Sequence, residues 1–500
     1  MVPEGSTVLV LVLCLLAASC GGRPTAARDA VVVLLPREPD TLDPRMCGDP
    51  ACVKITRLIY RSLVTVDPRS ADLVLDLASS ITEVGPLRYD VELRPGVRFH
   101  SGAQLEAADV AATLRSIADP RLVSPYQRPY ARYRVEVTGR RTLTIRLTEP
   151  HATVMGDLEL PILPARLARP RPLVGAEADG TGPFRLVDRR PGRMDLALVS
   201  PRGLRVAMRL IKDDNTRALR LQGGGGDLVV NGLSPELYPI FDGRSGFRVV
   251  SAPGSSFTYL GFNLEDRVLG DVRVRRAIAH AIDRRSLVDG KFGGHARLAT
   301  AMIAPGHWSH APEVRGPVYD PARARALLRE AGHGRLELVL ASTTARFRVG
   351  IARAMAWMLG LVGISVTVRP MEMGTLKADL AAGRVQMFGL QIPEVLEPNV
   401  YDRFFHSASI PDADSPDRGA NRFRYASARA DRLIELGRST TDRSVRKEAY
   451  RELQELLSED LPCVPLWHED NVSIVSRRVR GYFPSVTGRF EALASVSLGR

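Results

Sequence analysis

Few groupings in this 500-residue chain have the spacing that chemistry demands. His468, Glu469 and Asp470 stand together, but a zinc-binding H-E-x-x-H helix needs a second histidine four residues after the first, and position 472 is Val. His307 and His310 form H-x-x-H between Pro305 and Pro312, which reads as two exposed loop histidines. Glycines 223–226 lack the spacing and the trailing Lys-Ser/Thr of a phosphate-cradling loop, and read as a tight turn before an apolar segment. No G-x-S-x-G elbow occurs, and no carboxylate dyad stands out among 56 acidic residues. A secreted hydrolase of peptides or glycans would need a nucleophile with a base, or a metal cluster. The sequence points instead to binding without catalysis, with no metal and no cofactor.

The cysteines suggest export. Val8 to Leu16 is an apolar run ending in Ala17, Ala18, Ser19 and Cys20. It falls short of the about 20 apolar residues of a membrane-spanning helix, and its small-residue end is that of a secretory signal. The segment before it carries Glu4 and neither Lys nor Arg, a departure from the usual basic start. Leu16-Ala-Ala-Ser-Cys20 resembles the lipobox of bacterial lipoproteins. That resemblance implies a signal over 1–19, a diacylated Cys20 as lipid anchor, and a tether over 20–29; a plain signal with an incidental cysteine is the alternative. Two acyl chains hold a protein to a membrane where one does so only marginally. Cys47 and Cys52 enclose Gly48-Asp-Pro-Ala51, a small loop that a disulfide would close in an oxidising compartment, two unrelated small residues being the alternative. Cys463 reads as a buried free thiol.

The elements that must position any site read as α/β. Apolar runs or alternation predict strands over 31–35, 88–93 and 143–147, and 228–230 is a further apolar segment. Helical periodicity covers 107–117, 272–287, 321–331 and 446–457, and 57–64 looks like a helix end. The Pro-rich stretch 160–173 and the pair Pro253-Gly254 read as crossings between lobes. With 45% hydrophobic residues, the mature chain is large enough for two or three lobes. The net charge is +13, almost all of it arginine. These arginines are dispersed among acids, which reads as solvated faces and not as a nucleic-acid surface.

Several segments, in order, resemble the family 5 extracellular solute-binding proteins, the group that contains oligopeptide, dipeptide and nickel receptors. They are Glu38-Pro-Asp-Thr-Leu-Asp-Pro44, ITRLIYRSLV over 55–64, Leu77-Ala-Ser79, and YDVELRPGVRFHSG over 89–102 with Leu105, Ala108, Asp109 and Val110. Gly180-Thr-Gly-Pro-Phe184, Tyr259-Leu-Gly-Phe-Asn263, VRVRRAIAHAIDR over 272–284, and Tyr319-Asp-Pro321 with 324–332 complete the series. Ser101 stands where the family usually has Asp.

The resemblance implies a periplasmic-binding-protein-like Venus-flytrap of type II, cluster C, with two main lobes and a smaller extra one. Lobe I would combine 30–60, 165–253 and 470–500; lobe II would be 61–164 and lobe III 254–469. It further implies a monomeric extracytoplasmic receptor that captures short peptides or similar solutes and delivers them to an ABC permease and ATPase. A nickel chelate or sugar as ligand, or a sensory or adhesin role, are the alternatives. Pro393-Glu-Val-Leu-Glu-Pro398 falls where peptide-binding relatives carry Asp-x-x-Asp-Pro. Glu394 would thus hold the ligand's ammonium with Glu397 beside it, two solvated loop acids being the alternative. Gln391 and Tyr259 would contribute from nearby segments, and the loop 46–52 would approach the ligand through Gly48 and Asp49.

Lipidation is directly testable. Cys20→Ser should release the protein into the medium, as read by fractionation and immunoblotting; unchanged membrane retention would contradict the lipobox.

Overall fold

The strand Ala30–Leu35 carries five Val and Leu side chains at 8% exposure or less on both faces, as expected of a strand covered on both sides. It pairs in parallel with Arg205–Leu210 and Leu228–Val230. Arg193–Leu198 and Phe184–Arg190 continue one side of this seven-stranded sheet; Asn471–Ser476 and Phe247–Ala252 continue the other. The computed structural model describes residues 29–499 apart from 175–176, 201–202, 413–414 and 416–418. Cys20 and the signal lie outside the described residues.

A second sheet of six strands runs in the order Ala296–Leu298, Cys463–Glu469, Phe257–Phe262, Met387–Ile392, Leu336–Thr343, Ile364–Met371. Its two faces carry separate apolar cores: Leu260, Phe262 and Trp467 belong to one, and Phe257, Tyr259 and Phe388 to the other. A third, four-stranded antiparallel sheet holds Ala78–Gly85, Arg88–Leu93, Thr142–Leu147 and Tyr133–Val137. Val110, Leu114 and Ile117 of helix Ala107–Ala118 share its core.

The chain passes between the two large sheets at 253–256 and again at Asp470, next to the strand Cys463–Glu469. A Cβ at Gly254 would collide with the Glu469 carbonyl. The two crossings therefore touch backbone to backbone, and glycine is what permits it. Arg297 clamps them, donating from Nη2 to the Gly254 carbonyl at 3.0 Å and from Nε to Asp470 at 3.3 Å.

Capping explains where helix boundaries depart from periodicity. The first helix is Pro50–Ile59, earlier than the 57–64 reading, because the Asp49 carboxylate accepts from the Ala51 and Cys52 amides and Pro50 takes the first turn. The stretch 272–287 is not one helix. It divides into Val272–Ala281 and Arg284–Phe292, since Asp283 leaves the helical conformation and caps the second through the Ser286 amide. The last long helix extends over Arg443–Asp460, capped by Asp442.

Reading the arginines as solvated needs correction too. Arg45, Arg217, Arg275, Arg284, Arg446 and Arg489 are all at most 7% exposed; the first five donate to backbone carbonyls, and Arg489 donates to carboxylates. Arg284, for instance, donates to the Ala299, Pro465 and Pro317 carbonyls at 2.6–2.7 Å. Arg45 pairs with Asp43 at 2.7 Å and donates to the Arg169 and Arg171 carbonyls, fixing the Pro-rich stretch against the first helix region.

Gly180-Thr-Gly-Pro passes so near the end of the first helix that the Gly182 amide donates to the Ile59 carbonyl at 2.8 Å, and a Cβ there would lie 2.5 Å from Leu58 O and Ile59 C. Gly182→Ala should therefore destabilise by about 1–3 kcal/mol, read as a lowered thermal midpoint. Gly48→Ala, where a Cβ meets nothing within 4 Å, should leave the midpoint in place; equal midpoints for both variants would contradict this packing.

Candidate functional site

Residues of both large sheets line a cavity of about 520 Å³. On one side stand Leu35, Lys54, Asn231 and Phe490; on the other are Thr258, Arg348, Gln391 and Trp467. The second wall is held rigid by a chain of polar contacts. Arg348 lies 2.8 Å from Glu469 and donates to Gln391 Oε1 at 3.1 Å. Gln391 Nε2 donates to Thr258 Oγ1 at 3.2 Å, and Thr258 and the Trp467 indole both donate to Glu469 Oε1 at 3.3 Å. Of the polar groups predicted to contact a ligand, Gln391 is thus in the cavity, on a strand, with its rotamer fixed.

Lys54 comes from the first helix, whose opening turn is tied by a disulfide between Cys47 and Cys52, Cα atoms 5.3 Å apart. Pro50 and Ala51 of that turn also line the cavity. Gly48 is exposed. The Asp49 carboxylate is taken up by the Ala51 and Cys52 amides at 2.7 and 3.0 Å and the Asp40 amide at 3.3 Å; it shapes the turn and is not free for a ligand. Lys54 has no ion-pair partner among the described residues, and its ammonium stands 5.9 Å from the centre of the Phe490 ring. Burial pulls its pKa down to about 8, with Glu394 and Glu491 working in the opposite direction and Arg489 reinforcing the fall.

Tyr259 borders the cavity, but its ring is 2% exposed and stacks on Phe257 at 5.3 Å, with Phe423 at 5.4 Å. Tyr259 thus borders the cavity while most of its ring packs in the apolar core behind the sheet. Burial pushes its hydroxyl pKa up, so it stays neutral.

The two acids of Pro393-Glu-Val-Leu-Glu-Pro398 stand next door. Pro393 lines the first cavity; Glu394 and Glu397 line a second, of about 420 Å³, with Asp157, Glu159 and Arg489. Neither is a solvated loop acid. Glu394 Oε2 accepts from Arg489 at 3.2 Å, whereas its Oε1 is buried and has no hydrogen-bond partner. Glu397 pairs with Arg446, and burial raises its pKa despite that partner. Arg489, 4% exposed, also donates to Glu159. Burial opposes the charge on Glu159, yet Arg57 and Arg489 hold its pKa below the ordinary carboxylate value.

The histidines that opened the sequence analysis lie elsewhere. His468 is fully buried, bonded to the Ser256 carbonyl at 2.7 Å, and burial lowers its pKa to about 4. His307 and His310 are half-buried, contrary to the exposed-loop reading, because their rings bond the Leu396 and Ile303 carbonyls at 3.1 and 3.0 Å. Among the described residues no group of three or more His, Cys, Asp or Glu could hold a metal. Sequence reasoning passed over Lys54, Arg348 and Arg489. Lys54 alone carried a signal, as one of very few lysines and two positions beyond Cys52.

Residues 72–410 match the family described as bacterial extracellular solute-binding proteins, family 5 middle. The glutathione-binding protein GsiB of Salmonella paratyphi A is 26% identical over 503 aligned residues, covering 94% of both chains. The substrate-binding protein CtaP of Listeria monocytogenes superposes with a TM-score of 0.85 at 21% identity, over 94% of this chain and 99% of that one. The binding protein DppA of Helicobacter pylori, in complex with the peptide STSA, gives 0.78 at 22% identity over 94% and 98%. The fold is accordingly the two-lobed type II fold of these binding proteins. By the match to its middle two thirds, the chain belongs to the bacterial extracellular solute-binding proteins of family 5.

Proposed function

We propose that this chain captures a short peptide or peptide-like solute in the 520 Å³ cavity and passes it unaltered to an ABC permease and its ATPase. The observation that carries this reading is the cavity's position at the junction of two sheets joined by two adjacent crossings. A volume in the usual range for small-ligand pockets, about 300–1,000 Å³, at a place where two lobes can hinge, suits capture and release. The glutathione-binding and peptide-holding relatives support a peptide-sized solute.

In this reading 30–60, 165–253 and 470–500 form one lobe, 61–164 an extra lobe and 254–469 the other, in keeping with the strands that pair within each. The protein works as a monomer, held outside the cytoplasmic membrane by lipid on Cys20. Gln391 and the exposed backbone at Gly48 meet the solute. Glu394, which lines the adjoining cavity of about 420 Å³, receives its ammonium on Oε1, the oxygen that Arg489 leaves free. Glu397, Asp49 and Tyr259 serve the site from behind, as the partner of Arg446, the cap of the first helix and a core ring.

Because Arg489 keeps Glu159 as a partner when Glu394 is changed, Glu394→Gln should fold normally. It should weaken a peptide with a free amino terminus by about 1.5–3 kcal/mol, the worth of a hydrogen bond to a charged group. Calorimetry on peptides and their amino-acetylated forms tests this: acetylation should reproduce the mutation, and equal binding of both forms by the unmutated protein would remove Glu394 from the site.

A further inference from the structure

Three cations and no carboxylate line the cavity between the large sheets: Arg37, Lys54 and Arg348. Arg37 follows the strand Ala30–Leu35, Lys54 stands on helix Pro50–Ile59, and Arg348 opens helix Arg346–Gly360 across the cavity. The charge left over after their protein partners are counted decides what can enter.

Only Arg348 has a carboxylate partner, Glu469. Arg37 and Lys54 have none among the described residues. The acids that act on Lys54 are Glu394 and Glu491, and no ion pair joins either of them to it among the described residues. Glu394 is bound to Arg489. Glu491 is driven toward its neutral form by burial, Arg489 and Arg57 opposing this and Glu159 adding to it. Arg489 itself repels the Lys54 ammonium, and the Phe490 ring is the remaining group over it. A half-buried ammonium without a counter-ion is costly, and Lys54 shows that cost in a pKa brought down to about 8. A bound acid group would reverse it.

We infer that the solute this cavity takes is net anionic and carries at least two acid groups, received by Lys54, Arg37 and Arg348. This rests on the solute-binding reading above and narrows it to acidic peptides or comparable polycarboxylates. The placement also bears on closure. Cations stand on both walls, Arg348 with its charge partly offset by Glu469, so an anion between them is attracted from both sides as the walls approach. The apolar surface of Ile351, Met355, Leu466 and Trp467 leaves room for a carbon body between the acid groups.

Titration calorimetry at pH 7 with Ala-Ala-Ala, Glu-Ala-Glu, Lys-Ala-Lys and citrate reads the charge preference without relying on any mutant. Glu-Ala-Glu should bind at least about tenfold tighter than Ala-Ala-Ala, and Lys-Ala-Lys weakest, as expected for charge-assisted bonds in a partly dry site. Lys54→Met should erase most of the gap between Glu-Ala-Glu and Ala-Ala-Ala, and Lys54→Arg should keep it. Between pH 7 and 9 Lys54 loses its proton, so affinity for Glu-Ala-Glu should fall further in the unmutated protein than in Lys54→Arg. The peptide's own amine titrates equally against both, and the difference isolates Lys54. Equal or tighter binding of Ala-Ala-Ala overturns the inference and leaves the solute-binding reading intact. Binding of citrate with no peptide bound upholds the acidic ligand and overturns the peptide assignment. Failure of all four probes overturns both.

Discussion

Arg489 holds two half-buried carboxylates that arrive from distant parts of the chain. Glu159 follows the four-stranded sheet, Glu394 ends a strand of the six-stranded sheet, and Arg489 itself lies in the carboxy-terminal segment. Arg489, 4% exposed, is costly to bury without acid partners, and removing one partner of a buried ion pair typically costs about 3–5 kcal/mol. Arg57, 3.4 Å from Glu159, shares the load. One guanidinium thus joins three regions at the floor of the cleft.

The same bond fixes the electrostatics of the neighbouring cavity. With one oxygen of Glu394 engaged by Arg489 and Glu491 pushed toward neutrality by burial, Lys54 lines the cavity without an ion-pair partner among the described residues. Arg37 lines the same cavity and has no ion-pair partner among the described residues, and Arg348 is steadied by Glu469 and Gln391. Acids have thus been drawn to the Arg489 side, and cations are left on the ligand side. The disulfide at Cys47 and Cys52 and the Asp49 cap hold the helix that carries Lys54, so the positive group is presented from a turn with little freedom to lose on binding.

Local chemistry was legible from the sequence where short-range rules apply. The strand Arg88–Leu93 follows from alternation alone, and Gly332, at φ +84°, stops the helix Pro321–Glu330 as its composition suggests. Asp49 and Asp283 were legible in principle as caps, but Asp49 reads from the resemblance as a ligand contact, and amphipathic periodicity runs straight through Asp283. Tyr259 was not legible. The strand Phe257–Phe262 is buried on both faces, so no polar alternation says which side chains face the ligand and which the core. The site charges were hidden for a different reason: Arg489 meets Glu394 across 95 residues and Glu159 across 330. Buried arginines such as Arg284 escape sequence reading because their partners are carbonyls, which every residue carries.

The central claim is that a family 5 receptor fold has here been given a cationic cavity for a small acidic solute that leaves unchanged. Native mass spectrometry of the protein purified without denaturation from the cells that make it, followed by release and identification of the bound mass, tests this most directly. The account predicts one solute per chain, chemically intact, with at least two acid groups and a net negative charge. A cationic or uncharged solute, or a mixture of substrate with a converted product, would contradict it.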